Sequence, residues 1–351
     1  MDTNQDRNFI SYSDCVIRLR MSMFRNCAGY PFPTRMQTAD SHRFLNMVSK
    51  RMERLPEGDW TLHRLEKMSD DDFFYYRDRG LLPTDFGRLS IPVFFYTDKN
   101  GASLFFLNRE GIELSTVSSE FDPFHSLTNL IESDRQLETV FPYAVSLRHG
   151  YLNSRLDRTG AGLEAEVLLS LPALNRTEEG NRLLKIAAAE NLHIEPYVCP
   201  VLKTQIDGIL SVSTTALNGE TEEEMTARFA ANLGTIVKME RLKRRDWQSG
   251  KIEEIRTRYL EALDRINLSM KITLREAYDI LDTVRAAVLA GVADHPCSTV
   301  NWLFDFLKES YLIRFRNRFA GSSEPMMYDS LRAHLLKDIF CGKAEVLCIK
   351  D

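Results

Sequence analysis

The feature that most constrains this chain is a change of hydrophobic period near residue 220. Between about residues 90 and 217 apolar side chains recur every second position, in "IPVFFYTD", "ASLFFLNR", "GIELSTVS", "LEAEVLLSL", "HIEPYVC" and "GILSVSTTAL". The first two flank Lys99-Asn100-Gly101, and an Asn-Gly turn between β-rich runs predicts a hairpin that "GIELSTVS" extends. One helix interrupts the strands, over "TEEGNRLLKIAAAEN" behind a Thr177 cap. Hairpins with alternating burial predict an antiparallel sheet, hence an α+β fold and not a doubly wound one.

Beyond residue 220 the period becomes helical. "TEEE" (Thr221 to Glu224) and "TLRE" (Thr273 to Glu276) are capping boxes, in which threonine and glutamate each satisfy an orphan amide at a helix start. Met225, Phe229, Leu233 and Val237 follow the first; Ala277, Ile280, Leu281, Val284 and Val288 follow the second. "TVNWLFDFLKESYLIRF" reads as a third helix and "PMMYDSLRAHLLKDIF" as a fourth. The expected organisation is an α+β domain over 1–245 and an all-helical domain over 246–351. The helical domain is expected to mediate homodimerisation, because Trp302, Phe304, Phe306, Tyr311 and Phe315 give it more apolar surface than a small bundle needs.

Several function classes are disfavoured. No run approaches 18 apolar residues and the N-terminus is polar and acidic, so neither a membrane span nor a signal peptide is expected, and a cytoplasmic location is. A net charge of −5 argues against nucleic acid, and the basic run "RLKRR" at 241 to 245 reads as a solvated helix face. The six cysteines fall singly, without a CxxC, and His63, His125, His193 and His295 have no ligand spacing, so no metal is expected.

Three segments in order resemble the ATP:guanido phosphotransferases, in particular their bacterial protein-arginine kinase branch. "CVIRLRMSMFRNCAGYPFP" (Cys15 to Pro33) is similar to the family's opening arginine-rich element. "RHGYLNSRLDRTGAGLEAEVLLSLPAL" (Arg148 to Leu174) is similar to its glycine-loop and strand element. "LREAYDILDTVRAAVLAGV" with "YDSLRA" (Tyr328 to Ala333) is similar to the helical domain and its phosphoarginine-recognition motif. The resemblance implies a sheet presenting arginines to ATP, with a carboxylate and a cysteine around the substrate guanidinium.

Matched position by position, much of that apparatus is altered. Arg20 stands at the first phosphate-binding arginine, and Ser22 replaces the second. Glu110 keeps a carboxylate, while Glu113 replaces an arginine. Arg155 replaces the substrate-loop cysteine, Glu164 the arginine of the strand element and Glu166 its serine. Glu195 replaces a further arginine, and Pro200 the catalytic glutamate. Alternation along Leu163 to Leu171 sends Glu164 and Glu166 toward the implied cleft, and Leu163, Ala165, Val167, Leu169 and Leu171 toward the core.

Phosphoryl transfer depends on cationic positioning and stabilisation. Exchanging one arginine for glutamate shifts the balance against a polyphosphate by roughly 6 kcal/mol at 5 Å and an effective dielectric of 20. The expected function is therefore a degenerate kinase, a pseudokinase serving as a binding or regulatory scaffold with no cofactor. Its expected partners are proteins, including a basic or arginine-phosphorylated segment. Glu113, Glu164 and Glu195 are expected on one sheet face, with Arg20 or Arg155 inserted among them or as an open acidic groove. One alternative is an active protein arginine kinase using ATP and magnesium, with Glu110 as base and Arg20 and Arg25 on phosphate. Another is a phosphoarginine reader built on Asp329 and Arg332, which share a helix face.

Overall fold

The computed structural model describes residues 12–56, 60–82, 94–98, 103–108, 111–174, 177–188, 191–319 and 327–342. Its strands are β1 (Val16–Arg25), β2 (Trp60–Arg64), β3 (Phe94–Asp98), β4 (Ser103–Asn108), β5 (Gly111–Ser118), the short pair β6 (Val145–Ser146) and β7 (Gly150–Tyr151), β8 (Leu163–Ser170), β9 (His193–Cys199) and β10 (Thr204–Thr215). Its helices are α1 (Thr38–Met52), α2 (Asp70–Asp78), α3 (Pro123–Glu138), α4 (Glu178–Ala188), α5 (Glu222–Arg244), α6 (Ile252–Leu268), α7 (Leu274–Leu289), α8 (Cys297–Phe306), α9 (Glu309–Phe319) and α10 (Tyr328–Phe340).

Eight strands form one sheet in the order β2-β3-β4-β5-β1-β8-β10-β9, and each neighbouring pair is antiparallel. The hairpin β3–β4 pairs Phe95 with Phe105, and β5 adds beside it as its alternation requires. The Asn100-Gly101 turn lies outside the described residues.

One sheet face carries the larger core. Leu19, Met21 and Met23 of β1 and Leu163, Ala165, Val167 and Leu169 of β8 pack with Phe44 and Val48 of α1, Leu130 of α3, and Met225, Phe229, Leu233 and Val237 of α5. Those four α5 residues are fully buried, so the four-residue recurrence behind the first capping box marks the contact face. Both boxes close: Glu224 N–H donates to Thr221 Oγ1 and Thr221 N–H to Glu224 Oε2, and Thr273 and Glu276 do the same. Thr177 caps α4 by accepting from Gly180 N–H at 3.0 Å.

The opposite face carries smaller clusters, in one of which Phe95 of β3 and Val117 of β5 pack with Phe73 of α2 and with Leu81 and Leu82. Ile17, Leu168, Cys199, Ile206 and Ile209 form a second cluster with α7, α8 and α10, including Ile280, Leu281, Leu303 and Leu336. On the rest of that face Ser22, Glu113 and Ser115 are buried, while the Arg20 and Glu164 side chains keep 20% and 28% exposure.

Two local expectations are corrected. The single helix expected over "TVNWLFDFLKESYLIRF" is two, α8 and α9, broken at Leu307 and Lys308. Arg332 donates to the Leu307 carbonyl, Lys308 Nζ to the Asp78 carbonyl and Ser310 Oγ to Asp78, so tertiary partners hold the break open. Nor is "RLKRR" a solvated face, because Arg241 and Arg244 both grip Asp14 at 2.6 Å. Of the aromatics invoked for dimerisation, Phe304 and Phe306 are buried within the chain, and Trp302 stacks on Phe306 at 4.0 Å. The side chain of Phe315 lies outside the described residues. Among the described residues no helix is long and apolar enough to cross a membrane.

Candidate functional site

The sheet face that carries Arg20 is a set of cross-strand rows. Strand pairing places Ser115, Ser22, Glu164 and Thr215 side by side, then Val117, Arg20, Glu166 and Ser213, then Arg18, Leu168, Ser211 and Glu195. Glu113 stands opposite Phe24, one step further out. Directly paired residues share a face, so Glu113, Glu164 and Glu195 do lie on the same side of the sheet as Arg20.

They do not form one cluster. From Glu164 to Glu195 is two strands across and four residues along, about 10 Å by about 13 Å at ordinary sheet spacings. Each carboxylate has its own partner instead. Arg20 Nη2 meets Glu113 Oε1 at 2.5 Å and donates to Ser115 Oγ at 3.4 Å, while Ser22 and Ser115 share a hydroxyl bond of 2.7 Å. Glu113 is almost completely enclosed, and Arg20 keeps 20% of its side chain exposed. Arg20 Nε is buried without a hydrogen-bond partner among the described residues.

Glu164 is held through Oε2 by Arg158, with Nε at 3.1 Å and Nη2 at 2.6 Å, and the Arg158 guanidinium lies 3.7 Å from the centre of the Phe24 ring. Glu166 accepts from Ser211 Oγ at 2.7 Å. Glu195 sits on the exposed edge strand, 3.3 Å from His193 Nε2. The arginine inserted among the glutamates is thus Arg20 on one side and Arg158 on the other. Arg155, expected in that role, turns outward to Asp157 at 2.5 Å and holds that carboxyl below its ordinary value. Arg158 was legible only as one more basic residue of a loop, because its approach to Glu164 depends on how the loop folds back.

The glycine loop before β8 serves backbone packing. Gly162 has φ +62°, and a Cβ there would come within 2.7 Å of the Phe24 carbonyl, so only glycine fits. Phe24 N–H donates to the Gly162 carbonyl, and Arg25 Nη1 to the Ala161 carbonyl at 2.9 Å. The loop is thus stitched to β1 through its Ala161 and Gly162 carbonyls.

Arg25 does not point into the cleft. It is 2% exposed, bonded to Asp134 Oδ2 through Nε and Nη2 and stacked 3.7 Å over the Tyr151 ring, while the Tyr143 hydroxyl donates to Asp134 Oδ1. Burial and the facing Asp134 push the Tyr143 hydroxyl well above its ordinary value, so it remains a donor. This removes Arg25 from the phosphate contacts expected of it. Glu110 lies outside the described residues.

Pro200 sits in the β9–β10 turn, away from the cleft, and lines a cavity of about 450 Å³ with Asp71, Phe74, Lys203, Glu309 and Tyr328. Pro200 and Tyr328, far apart in the chain, thus line one cavity. Arg332 itself is not open to a ligand. Its side chain is 1% exposed, donating to the Leu307 carbonyl at 2.7 Å and to Asp329 at 2.5 Å. The Asp329–Arg332 pair ties α10 to the end of α8.

Comparison with known proteins agrees with this architecture. Residues 43–243 match the family model described as ATP:guanido phosphotransferase, C-terminal catalytic domain. The protein-arginine kinase of Desulforamulus reducens is 24% identical over 346 residues, covering 93% of this chain and 92% of its own. That of Bacillus pumilus is 22% identical over 331 residues, covering 93% and 90%. Among solved structures, the substrate-free duplicated taurocyamine kinase from Schistosoma mansoni superposes with a TM-score of 0.57 at 15% identity, covering 76% of this chain and 39% of that one. That likeness extends to the fold alone. With the family model spanning more than half of its length, the chain belongs to the ATP:guanido phosphotransferase family.

Proposed function

We propose that this family member is a pseudokinase, a binding or regulatory scaffold that does not transfer phosphate. The observation that carries the reading is the Arg20–Glu113 pair at 2.5 Å. Arg20 is the one phosphate-binding arginine retained at the matched positions, and an enclosed carboxylate already occupies it. Ser22, Glu164 and Glu195 supply no cation where the resemblance implies arginines, and Arg158 is spent on Glu164. These residues do not fit a magnesium-bound polyphosphate, whose spreading charge needs several positioned cations.

The scaffold reading assigns the exposed Glu195 edge to a basic protein segment and the helices of 246–351 to self-association, in a cytoplasmic protein. The test is thermal unfolding with and without ATP and magnesium. A nucleotide at a hundredfold excess over its Kd adds about 2.7 kcal/mol to stability, a shift of several degrees. No shift is expected, and a shift of that size overturns the reading.

A second reading is favoured by the end-to-end alignment with protein-arginine kinases. On it the chain is an active protein arginine kinase with Glu110 as base. Transfer of labelled phosphate to an arginine-rich protein, abolished by Glu110→Gln, would establish it. The phosphoarginine-reader reading has less support, because Arg332 is enclosed and bonded.

A further inference from the structure

Self-association of the helical domain needs an apolar surface. Of the aromatics expected to supply it, Phe304 and Phe306 are enclosed within the chain and Trp302 stacks on Phe306. The most exposed large apolar side chains among the described residues of this domain lie elsewhere: Met270 at 85%, Leu268 at 83% and Met327 at 69%. They come together at one corner. α6 ends at Leu268, Ser269 is extended (φ −83°, ψ 131°), and Met270 follows. Two residues on, Ile272 is buried, and its N–H donates to the Asp329 carbonyl at 2.9 Å. That bond sets the start of α10, and Met327 with it, beside the α6–α7 connection. The Thr273–Glu276 capping box begins at the next residue, so the corner is anchored from both sides. Neighbouring apolar side chains left in water on a fixed backbone mark an interaction surface, and methionine adapts to whatever packs against it.

The charges around this corner indicate which partner it fits. Asp264 lies one turn before Leu268 on the same side of α6, and Lys271 follows Met270. Both are exposed, and among the described residues neither forms an ion pair; Arg265, beside Asp264, is taken by Glu276 at 2.6 Å. An acid before the apolar centre and a base after it make a self-complementary pattern. A two-fold axis near Leu268, with two copies of α6 antiparallel, sets Asp264 of each copy toward Lys271 of the other. In such a contact the apolar centre supplies affinity and the rim charges supply register.

We propose that this corner is the interface with a second copy of the chain, Leu268, Met270 and Met327 packing across the axis and Asp264 of each copy facing Lys271 of the other. The proposal rests on the self-association reading and gives it a face and a register. The test is sedimentation of the full chain over a concentration series, wild type beside Leu268→Lys and Met270→Lys, with thermal unfolding of the diluted protein as the folding control. All four positions are exposed, so none of the substitutions should disturb the fold. Wild type should dimerise, and either apolar substitution should weaken the dimer by about thirtyfold or more, since the axis counts each change twice. Asp264→Lys or Lys271→Glu alone should weaken it about threefold or more, and the two together should restore it. A dimer indifferent to Leu268→Lys and Met270→Lys overturns this face and leaves self-association standing. Failure of the double exchange to restore what the single ones lose overturns the antiparallel pairing, and the proposal with it. A monomer at every concentration overturns both readings and gives the patch to a different protein.

Discussion

Replacing Glu113 by glutamine tests whether the cleft is closed to anions by its own carboxylate. The Nη2–Oε1 distance of 2.5 Å puts the charge centres about 4 Å apart, an attraction of roughly 4 kcal/mol at an effective dielectric of 20. Glutamine keeps the volume and an acceptor oxygen for Arg20 but removes the charge. Two results should follow together. Stability should fall by about 1–3 kcal/mol, the cost of a lost charge-assisted bond, and not by the 3–5 kcal/mol of a fully buried pair, because one-fifth of Arg20 reaches solvent. If about half of the released attraction becomes available to a ligand, affinity for pyrophosphate or ATP with magnesium should rise about thirtyfold. Calorimetric titration reads the second change and urea unfolding the first. Wild-type protein that already binds ATP at micromolar affinity, or a variant that loses stability with no gain in anion binding, would refute the reasoning.

Other consequences are equally direct. Arg25→Met should cost about 3–5 kcal/mol in urea unfolding, because it strands Asp134 in a buried site; a near-neutral result would return Arg25 to the list of ligand-binding residues. Arg332→Ala should lower the melting temperature by several degrees, since it frees the α8 terminus as well as Asp329, and wild-type protein should show no calorimetric signal with free phosphoarginine. The Arg228 guanidinium, 2.8 Å from Glu220, holds that carboxyl below its ordinary value. With the folded pKa below the unfolded one, this pair stabilises above about pH 4.3 and its contribution is lost as pH falls through the folded value. Acid unfolding of Glu220→Gln should therefore differ from wild type at neutral pH and converge with it once the pH has fallen through the lowered folded value; parallel curves throughout would contradict the pairing.

Much of the fold was legible because it rests on local periodicity and local bonds. Leu163, Ala165, Val167 and Leu169 are buried because alternation leaves them no other face, and Thr177, Thr221 and Thr273 cap helices through partners three residues away. α6 was missed: most of it is solvent-facing, and only a narrow stripe through Ala262 and Ile266 is fully buried, so its periodic signal is diluted by charge. The break between α8 and α9 was invisible because Asp78 and Arg332, which hold it, lie far away in the chain.

The candidate site divides the same way. Sequence alone determined which residues alternate to one face within a strand, since its period is two, and the register of strand pairing then put Glu113, Glu164 and Glu195 on one face. Only the tertiary structure decided which cation each glutamate meets. Arg20 reaches Glu113 across one strand boundary, Arg158 reaches Glu164 by a loop folding back, and Arg155, equally charged and three residues away, faces solvent. Long flexible side chains choose partners by distances of a few ångströms, set by loop closure and strand register, and no one-dimensional pattern encodes those distances.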